Sequence, residues 1–144
     1  MKKRVISTIV VLALFVSMFT GCMFSGGDDD ANLNIVDDNY RNYYEIFVGS
    51  FYDSDGDGIG DLNGVAEKLD YIMDLGCNGI WLMPIMPSPT YHKYDVEDYE
   101  NVDSAYGTAD DFKKLADACH EKGIRVVIDF VMNHSSSKHP WFTQ

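Results

Sequence analysis

Three short apolar runs along the chain have the composition of β-strands. They are rich in β-branched and aromatic side chains, which favour extended structure, and they occupy residues 43–47, 79–82 and 124–128. The last run begins directly after Gly123 and is followed at once by polar residues. A short uninterrupted run of this kind predicts a parallel strand that is buried on both faces.

The two segments between these runs have the apolar spacing of α-helices. The first, residues 62–75, is followed by Gly76, a typical C-terminal stop. The second begins after Thr108, which forms an acidic capping-box pattern with Asp111. The apolar positions are Val65, Leu69 and Ile72 in the first helix and Phe112, Leu115, Ala116 and Cys119 in the second.

The alternation of strand and helix predicts an α/β fold with parallel strands joined by right-handed crossovers. Two architectures fit this pattern: the N-terminal portion of a (β/α)8 TIM barrel and a small doubly wound sheet. A whole barrel needs about 250 residues. Because the folded segment is expected to span residues 41–144, the barrel would be truncated after its first three strands. The proline-interrupted segment 83–107 predicts a long functional loop.

The N-terminus has the pattern of an export signal. A basic start at residues 1–4 precedes the apolar segment 5–19, which is too short for a comfortable membrane span. Gly21 and Cys22 follow, and this junction resembles the cleavage box of bacterial lipoproteins, in which the cysteine is lipidated. We therefore expect a lipoprotein signal peptide at residues 1–21, with lipidation of Cys22 and attachment to the outer face of a bacterial membrane. An ordinary secretory signal is the alternative.

Charge and cysteine content narrow the choice of partners. Residues 25–30 are acidic and poor in large apolar groups, and we expect residues 22–40 to be a flexible tether. The net charge of −12 argues against nucleic acid and against electrostatic binding to anionic lipid, so any membrane contact is expected through the lipid alone. Three cysteines are too few for a disulfide framework. We expect Cys77 and Cys119 to be small buried packing residues, and the protein to be a monomer.

The loop after the first strand places carboxylates at every second position. The potential ligands are Asp53, Asp55, Asp57, the main-chain carbonyl of Ile59, and Asp61. Oxygen ligands at alternating positions suit calcium, and the intervening glycines allow the tight turns that such a loop needs. Gly64 stands where an EF-hand carries its bidentate glutamate, so the loop is not an EF-hand. We expect a Ca²⁺ site here, with a solvated acidic turn as the alternative.

Polar side chains follow the third strand directly. Residues 129–134 read Asp-Phe-Val-Met-Asn-His, and the loop after the second strand carries several aromatic residues between positions 91 and 99. Together with the acidic loop, these segments resemble the α-amylase family of glycoside hydrolases over residues 43–142. The resemblance favours the TIM barrel over the doubly wound sheet.

The same resemblance implies roles for four residues. Tyr94 would stack on the sugar ring next to the bond that is cut, and His134 would donate a hydrogen bond to a hydroxyl of that ring. Asp129 would hold the architecture of the active site without acting as the nucleophile. Asn133 is either a ligand of a second calcium ion or a hydrogen-bond partner of the loop backbone.

For function, the resemblance implies an exported enzyme that cleaves α-1,4-glucosidic bonds in starch-like glucans by a retaining mechanism. Retention requires two carboxylates about 5 Å apart, and the family places them on later strands, so no catalytic carboxylate is expected within residues 1–144. Tyr91 favours an open cleft, with His92 beside it, although ordinary loop packing fits both residues equally well. The functional alternatives are an α-glucosidase or transglycosylase of the same family and a non-catalytic surface lipoprotein that binds calcium or carbohydrate.

Overall fold

The computed structural model describes residues 38–143 of the chain, with side chains for residues 39–142. The predicted signal peptide, Cys22 and nearly all of the predicted tether lie outside the described residues. Within the described range, no helix has the length and the apolar character needed to cross a membrane. The predicted barrel segment, in contrast, is described almost in full.

The three predicted strands form one parallel sheet. They are β1 (Tyr43–Ile46), β2 (Gly79–Leu82) and β3 (Arg125–Ile128). Their order in the sheet is their order in the sequence, with β2 at the centre. The register aligns Ile46 with Leu82 and Leu82 with Ile128, so the carboxyl ends of all three strands meet at one edge. Phe47, which was predicted to end the first strand, lies just outside it.

Helices follow the strands as predicted, with one interruption. They are α1 (Leu62–Glu67), α2 (Leu69–Asp74), α3 (Ala109–Glu121) and α4 (Pro140–Thr143). The single helix predicted over residues 62–75 is broken at Lys68, whose φ of −103° and ψ of 8° separate α1 from α2. The Lys68 ammonium lies 3.8 Å from the centre of the Tyr52 ring. The prediction of one continuous helix was wrong, because the apolar spacing of Val65, Leu69 and Ile72 continues across the break and does not reveal it.

The position of the helices distinguishes between the two predicted architectures. Helices α1 and α3 pack against each other, so both crossover segments lie on the same side of the sheet. Strands in consecutive order with their helices on one side are the arrangement found in a TIM barrel. A doubly wound sheet instead reverses its strand order at a switch point, and the described sheet contains no reversal. The described residues therefore form three consecutive strands of a barrel-type α/β fold.

The hydrophobic core lies between the helices and one face of the sheet. Ile46, Ile80 and Leu82 are fully buried on that face. They belong to one apolar cluster with Val65 of α1 and Leu115 of α3. Burying a side chain of this size contributes roughly 1.5–3 kcal/mol relative to leaving it exposed, so this layer is the main source of stability for the described segment.

Within the residues that the structure describes, no helix covers the opposite face of the sheet. Glu45, Trp81 and Val127 lie side by side on it, in register across the three strands. Trp81 is 43% exposed and Val127 is 37% exposed. The prediction that the third strand is buried on both faces was therefore wrong: its residues alternate between exposed and half-buried, because only one face of the sheet carries helices.

The helix ends follow the predicted signals. At the start of α3 the Thr108 hydroxyl accepts the Asp111 N–H at 3.2 Å, and the Asp111 carboxylate accepts the Thr108 N–H at 3.0 Å, which completes the capping box. Gly76 follows α2 with a φ of +83°, a conformation that glycine adopts without steric cost. Cys119 is buried on α3 as predicted, whereas Cys77 is only half-buried, and both are free thiols.

Candidate functional site

The long loop of residues 83–107 contains no helix or strand, as predicted, and its own hydrogen bonds fix its shape. The Asp103 N–H donates to the Ile85 carbonyl and the Glu97 N–H donates to the Pro87 carbonyl, both at 2.8 Å. These bonds tie the far end of the loop to the residues that directly follow β2. The middle of the loop is thereby held close to the carboxyl edge of the sheet.

Tyr94 and Asp129 meet at this edge. Asp129 directly follows β3, and its N–H donates to the Leu82 carbonyl at 2.8 Å. The Tyr94 hydroxyl donates to the Asp129 carboxylate at 2.5 Å. This hydrogen bond raises the pKa of Tyr94 to about 12, with further contributions from burial and from the negative charges of Asp129 and Glu45. Two residues that were predicted separately are thus one hydrogen-bonded pair.

His92 supports Tyr94 from the other side. The Tyr94 N–H donates to His92 Nδ1 at 3.1 Å, and the centres of the two rings are 6.1 Å apart. Tyr91 continues the row of rings: its ring centre lies 5.6 Å from that of His92 and 6.2 Å from that of Phe47. Tyr91 is 80% exposed. The predicted lining residues Tyr91 and His92 therefore extend from Tyr94 toward solvent.

The base of this aromatic row is fixed by hydroxyl groups. Ser88 donates to the Asp95 carboxylate at 2.7 Å, and the Thr90 hydroxyl donates to the same carboxylate oxygen. Burial raises the pKa of Asp95, but the donors on Thr90 and Ser88 outweigh burial and leave it below its usual value. The Asp95 carboxylate thus binds the hydroxyl groups of its own loop.

His134 lies in a separate part of the site. It is exposed and borders an apolar cavity of about 450 Å³. The other lining residues are Tyr99, Phe130, Val131, Met132, Ser135 and Trp141. The Tyr99 hydroxyl lies 2.8 Å from the carbonyl oxygens of Val131 and His134 and so fixes the backbone of the loop after β3.

The structure does not bring His134 and Tyr94 into contact. Within the described part of the chain, His134 bonds to its neighbour: the Asn133 amide nitrogen lies 3.1 Å from His134 Nδ1. One predicted role of Asn133 was a hydrogen bond to the loop backbone. Its hydrogen bond goes to the His134 side chain instead. Tyr94 instead pairs with Asp129.

The acidic loop gathers three of its predicted ligands. Oxygen atoms of Asp53, Asp55 and Asp61 all lie within 4.8 Å of one another. Two oxygen atoms on one calcium ion, each 2.3–2.6 Å from it, can be separated by about this distance, so these three residues fit a common ion. Asp57 is not part of this close group; its carboxylate accepts the Ile59 N–H at 2.7 Å instead.

Backbone donors keep two of these carboxylates charged. The N–H groups of Gly58 and Gly56 donate to Asp53 at 2.8 and 2.7 Å and lower its pKa. Asp61 is buried, which raises its pKa, but the Ser54 and Gly64 N–H groups outweigh burial and leave the pKa below its usual value. The Gly64 bond also makes Asp61 the N-cap of α1. Asp61 therefore joins the acidic loop to the first helix.

One ion pair in this region carried no signal in the sequence. Lys93 and Asp103 are both buried, and their charged atoms are 2.6 Å apart. A lysine and an aspartate in a polar loop are ordinarily solvated, so neither residue stands out in the sequence. Lys93 directly precedes Tyr94 in the chain, so the pair belongs to the same site.

Comparison with known proteins identifies the region that contains these features. Residues 45–144 match a family model described as the alpha amylase catalytic domain. Alpha-amylase 3 of Dictyoglomus thermophilum is 54% identical over 105 residues, which cover 72% of this chain and 21% of that protein. The probable oligo-1,6-glucosidase 2 of Bacillus subtilis is 50% identical over 102 residues, which cover 70% of this chain and 18% of that protein.

A solved structure agrees with these relatives. The structure of Eubacterium rectale Amy13B is similar with a TM-score of 0.74 and 65% sequence identity, over 77% of this chain and 22% of that chain. The chain thus spans about a fifth of the length of the proteins that it matches. At this identity both the fold and the local sequence correspond.

Proposed function

This chain belongs to the α-amylase family, and from that membership we propose that it supplies the first part of a glycoside hydrolase that cleaves α-1,4-glucosidic bonds in starch-like glucans. The observation that carries the proposal is the Tyr94–Asp129 pair at the carboxyl edge of a barrel-type sheet. Enzymes with this architecture place their active sites at that edge. The exposed ring of Tyr91 and the half-buried ring of His92 beside the pair offer apolar surfaces for the C–H faces of sugars.

The proposed reaction is hydrolysis with retention of configuration. It needs a nucleophilic carboxylate and an acid/base carboxylate about 5 Å apart, and we propose that both come from strands beyond β3. In this scheme Tyr94 stacks on the sugar ring at the cleaved bond, while Asp129 holds the Tyr94 hydroxyl and thereby the direction of the ring. His134 donates to a sugar hydroxyl from the loop after β3.

A sugar titration of the 144-residue chain tests the binding part of this proposal. We expect maltotetraose, with α-1,4 bonds, to shift the NMR signal of ring-labelled Tyr94 in a saturable way, and cellotetraose, with β-1,4 bonds, to leave it unchanged. In a parallel calorimetric titration with maltotetraose, Tyr94→Ala should abolish the heat of binding. The control is Tyr40→Ala, because Tyr40 is 76% exposed in the turn before β1. Equal responses to both sugars would contradict the proposal.

Catalysis is tested on the enzyme that carries the remaining barrel strands. Fresh product from maltotetraose should retain the α-anomeric configuration when it is followed by NMR before mutarotation. Asp129→Asn should lower kcat, because the Tyr94 ring loses its charged partner. Product of inverted configuration would exclude the retaining mechanism, and an enzyme without hydrolase activity would favour the non-catalytic binding lipoprotein.

An α-glucosidase of the same family is the second candidate. The observation that favours it is the 50% identity to a protein named as an oligo-1,6-glucosidase. The exposed Tyr91 favours the first candidate, since a ring that extends toward solvent suits an open cleft. Cleavage of internal bonds in a blocked maltoheptaoside would distinguish the amylase from a glucosidase that removes terminal units.

We also propose that Asp53, Asp55 and Asp61 bind a calcium ion, with Asp57 and the Ile59 carbonyl as further oxygen ligands. The support is the close group of three carboxylates and the all-oxygen donor set, which suits a hard cation. Bringing several carboxylates together without a cation is unfavourable because like charges repel. The role expected for the ion is structural: it would hold the loop between β1 and α1.

Calorimetric titration with calcium chloride tests this site. We expect saturable binding at millimolar or lower concentration and a rise in Tm with added calcium. Asp55→Asn should abolish both effects, because Asp55 is exposed and makes its main contribution as a ligand. Asp74→Asn, which changes an exposed acid outside the loop, should leave both unchanged. Identical binding by the two variants would rule out the assignment.

We propose, finally, that the protein is exported and lipidated at Cys22, which lies outside the described residues. The support is the basic start, the apolar segment and the Gly21-Cys22 junction of the sequence. Labelling with radioactive palmitate in a bacterial host should mark the wild-type protein, and Cys22→Ser should remove the label. An unlabelled wild-type protein in the medium would identify an ordinary secretory signal instead.

A further inference from the structure

The loop that carries Tyr94 contains an ion pair that is almost removed from solvent. The Lys93 ammonium lies 2.6 Å from the Asp103 carboxylate, and the two side chains are only 11% and 13% exposed. Removing two charges from water is costly, and their mutual attraction compensates only when the geometry is good. A pair of this kind is therefore weak support for stability in general but fixes the positions of the groups that it joins.

The backbone at Lys93 is unusual. Among the residues that the structure describes, Lys93 is the only residue other than glycine with a positive φ, at +67°. The left-handed region is unfavourable for residues with a Cβ atom, so it persists only where the surroundings impose it. The Lys93 N–H donates to the Thr90 carbonyl at 3.3 Å and closes a turn, and the left-handed residue sets the direction in which the chain leaves that turn.

Asp103 is a rigid partner for this lysine. Its second carboxylate oxygen accepts the Ala105 N–H at 2.9 Å, and its own N–H donates to the Ile85 carbonyl at 2.8 Å. Its carbonyl accepts the Tyr106 N–H at 2.8 Å. The Lys93 ammonium also lies 5.2 Å from the centre of the buried Tyr106 ring. The lysine thus contacts a carboxylate that is fixed by hydrogen bonds and a ring that is fixed by burial.

Tyr94 is the next residue along the chain. Its N–H and its hydroxyl are directed to two different partners, His92 Nδ1 and the Asp129 carboxylate. Both bonds require a single orientation of the peptide between Lys93 and Tyr94. The other lysine–aspartate pairs of the described chain have no such link: the Lys113–Asp117 pair has the same 2.6 Å separation but side chains that are 71% and 61% exposed on α3.

We propose that Lys93 and Asp103 are positioning residues that hold the left-handed backbone at Lys93 and thereby direct the Tyr94 hydroxyl at Asp129. This inference deepens the proposed function and rests on it for its meaning, since Tyr94 is the sugar-stacking residue there. The geometric claim itself concerns only the described chain. The ion pair acts through the backbone and touches no substrate.

Two double variants of the 144-residue chain test the mechanism. Both carry Asp103→Asn, so that no buried charge is left unpaired. The first adds Lys93→Met, which keeps a long apolar stem but gives the left-handed backbone no charged support. The second adds Lys93→Gly, which adopts a positive φ without steric cost. The matched control is Lys113→Met with Asp117→Asn, which removes the exposed pair of equal length.

The readout is the ionisation of Tyr94, followed by ¹³C NMR of ring-labelled tyrosine and assigned with Tyr94→Phe. In the wild type and in the control, Tyr94 should remain protonated at about pH 11, since its pKa is raised to about 12 by the bond to Asp129. In the methionine variant Tyr94 should titrate near the ordinary tyrosine value of about 10. In the glycine variant the raised pKa should be retained.

Protection of the Cys119 thiol from alkylation, measured by mass spectrometry, reports the fold separately because Cys119 is fully buried on α3. It should be retained in all variants. A raised Tyr94 pKa in the methionine variant, a lost one in the glycine variant, or exposure of Cys119 in the methionine variant would each overturn the proposal. Because the readout needs no sugar, a failure of maltotetraose to bind would count against the proposed function alone.

Discussion

A phenol that donates its proton to a carboxylate holds that proton more tightly than a phenol in water. The Tyr94–Asp129 bond is therefore both a geometric restraint and a shift in proton affinity. Because the pKa of Tyr94 is raised in the folded state, its contribution to stability is complete below the unfolded value near 10 and is lost as the pH rises through about 12. At neutral pH the hydroxyl is a donor at all times.

We expect Asp129→Asn to lower the pKa of Tyr94 toward 10. The carboxamide oxygen still accepts a hydrogen bond, but the negative charge that disfavours a phenolate is gone. Tyrosine-labelled NMR titration provides the measurement. The part of the stability loss between pH 10 and about 12 that comes from Tyr94 should shrink, because its folded and unfolded pKa values then nearly coincide. Asp98→Asn is the control, since Asp98 bonds to Glu100 and Asn101. A Tyr94 pKa that stays near 12 in the Asp129 variant would contradict the assignment.

Gly64 is a second residue whose surroundings determine which side chain can stand there. Alanine at an ordinary helix position is favoured over glycine by about 1 kcal/mol. At Gly64, however, a Cβ atom would lie 2.0 Å from the Tyr52 carbonyl oxygen, and backbone cannot move aside as a side chain can. We expect Gly64→Ala to cost about 1–3 kcal/mol of unfolding free energy, as overpacking usually does. Urea denaturation measures the change, and Asn63→Ala on the same helix should stay within about 0.5 kcal/mol.

At the scale of elements, capping interactions define where the helices begin. The capping box at Thr108 and Asp111 satisfies two backbone donors at the start of α3. The Thr108 hydroxyl and the Lys114 ammonium hold the pKa of Asp111 well below its usual range, which keeps this cap ionised in mild acid.

Thr108→Ala should therefore destabilise the fold by about 1 kcal/mol, the usual cost of losing an N-cap side chain. The reason is that the Asp111 N–H loses its acceptor while the helix gains nothing in exchange. Urea unfolding followed by circular dichroism gives the value. Lys113→Ala removes an exposed side chain from the same helix and should change the unfolding free energy by less than about 0.5 kcal/mol. Equal effects of the two substitutions would show that the cap carries no special weight.

Periodicity and cap signals predicted the strands and most helix ends because these depend on residues close in sequence. The break at Lys68 was not predictable in this way, because the apolar positions Val65, Leu69 and Ile72 keep their helical spacing across it. The same distinction holds in the site. Carboxylate spacing predicted the group of Asp53, Asp55 and Asp61, whereas the partner of Lys93 is defined only once the loop has folded back on itself.

At the scale of the whole molecule, the uncovered face of the sheet is the dominant feature. Glu45, Trp81 and Val127 lie on it, and the outer edges of β1 and β3 pair with no strand within the described residues. Exposed strand edges and apolar faces promote pairing with other chains. The prediction of a monomer therefore applies to a closed barrel, in which the neighbouring strands would cover both edges.

We expect the isolated 144-residue chain to self-associate at micromolar concentration. Sedimentation velocity over a range of concentrations should show a shift to faster species, and Trp81→Lys should reduce it because a charge would then occupy the centre of the apolar face. Asn63→Lys adds the same charge on an exposed part of α1 and should leave association unchanged. A single monomeric species at all concentrations would contradict this expectation.

The order of the sheet also has a consequence for biosynthesis. Strands β2 and β3 each pair with the strand that was synthesised immediately before them. A ribosome that adds about 5–20 residues per second therefore delivers each new strand to a partner that already exists, within seconds. Folding of this region can proceed vectorially from the N-terminus. The hydrogen bond of Tyr94, in the loop after β2, can form only after Asp129 has emerged from the exit tunnel.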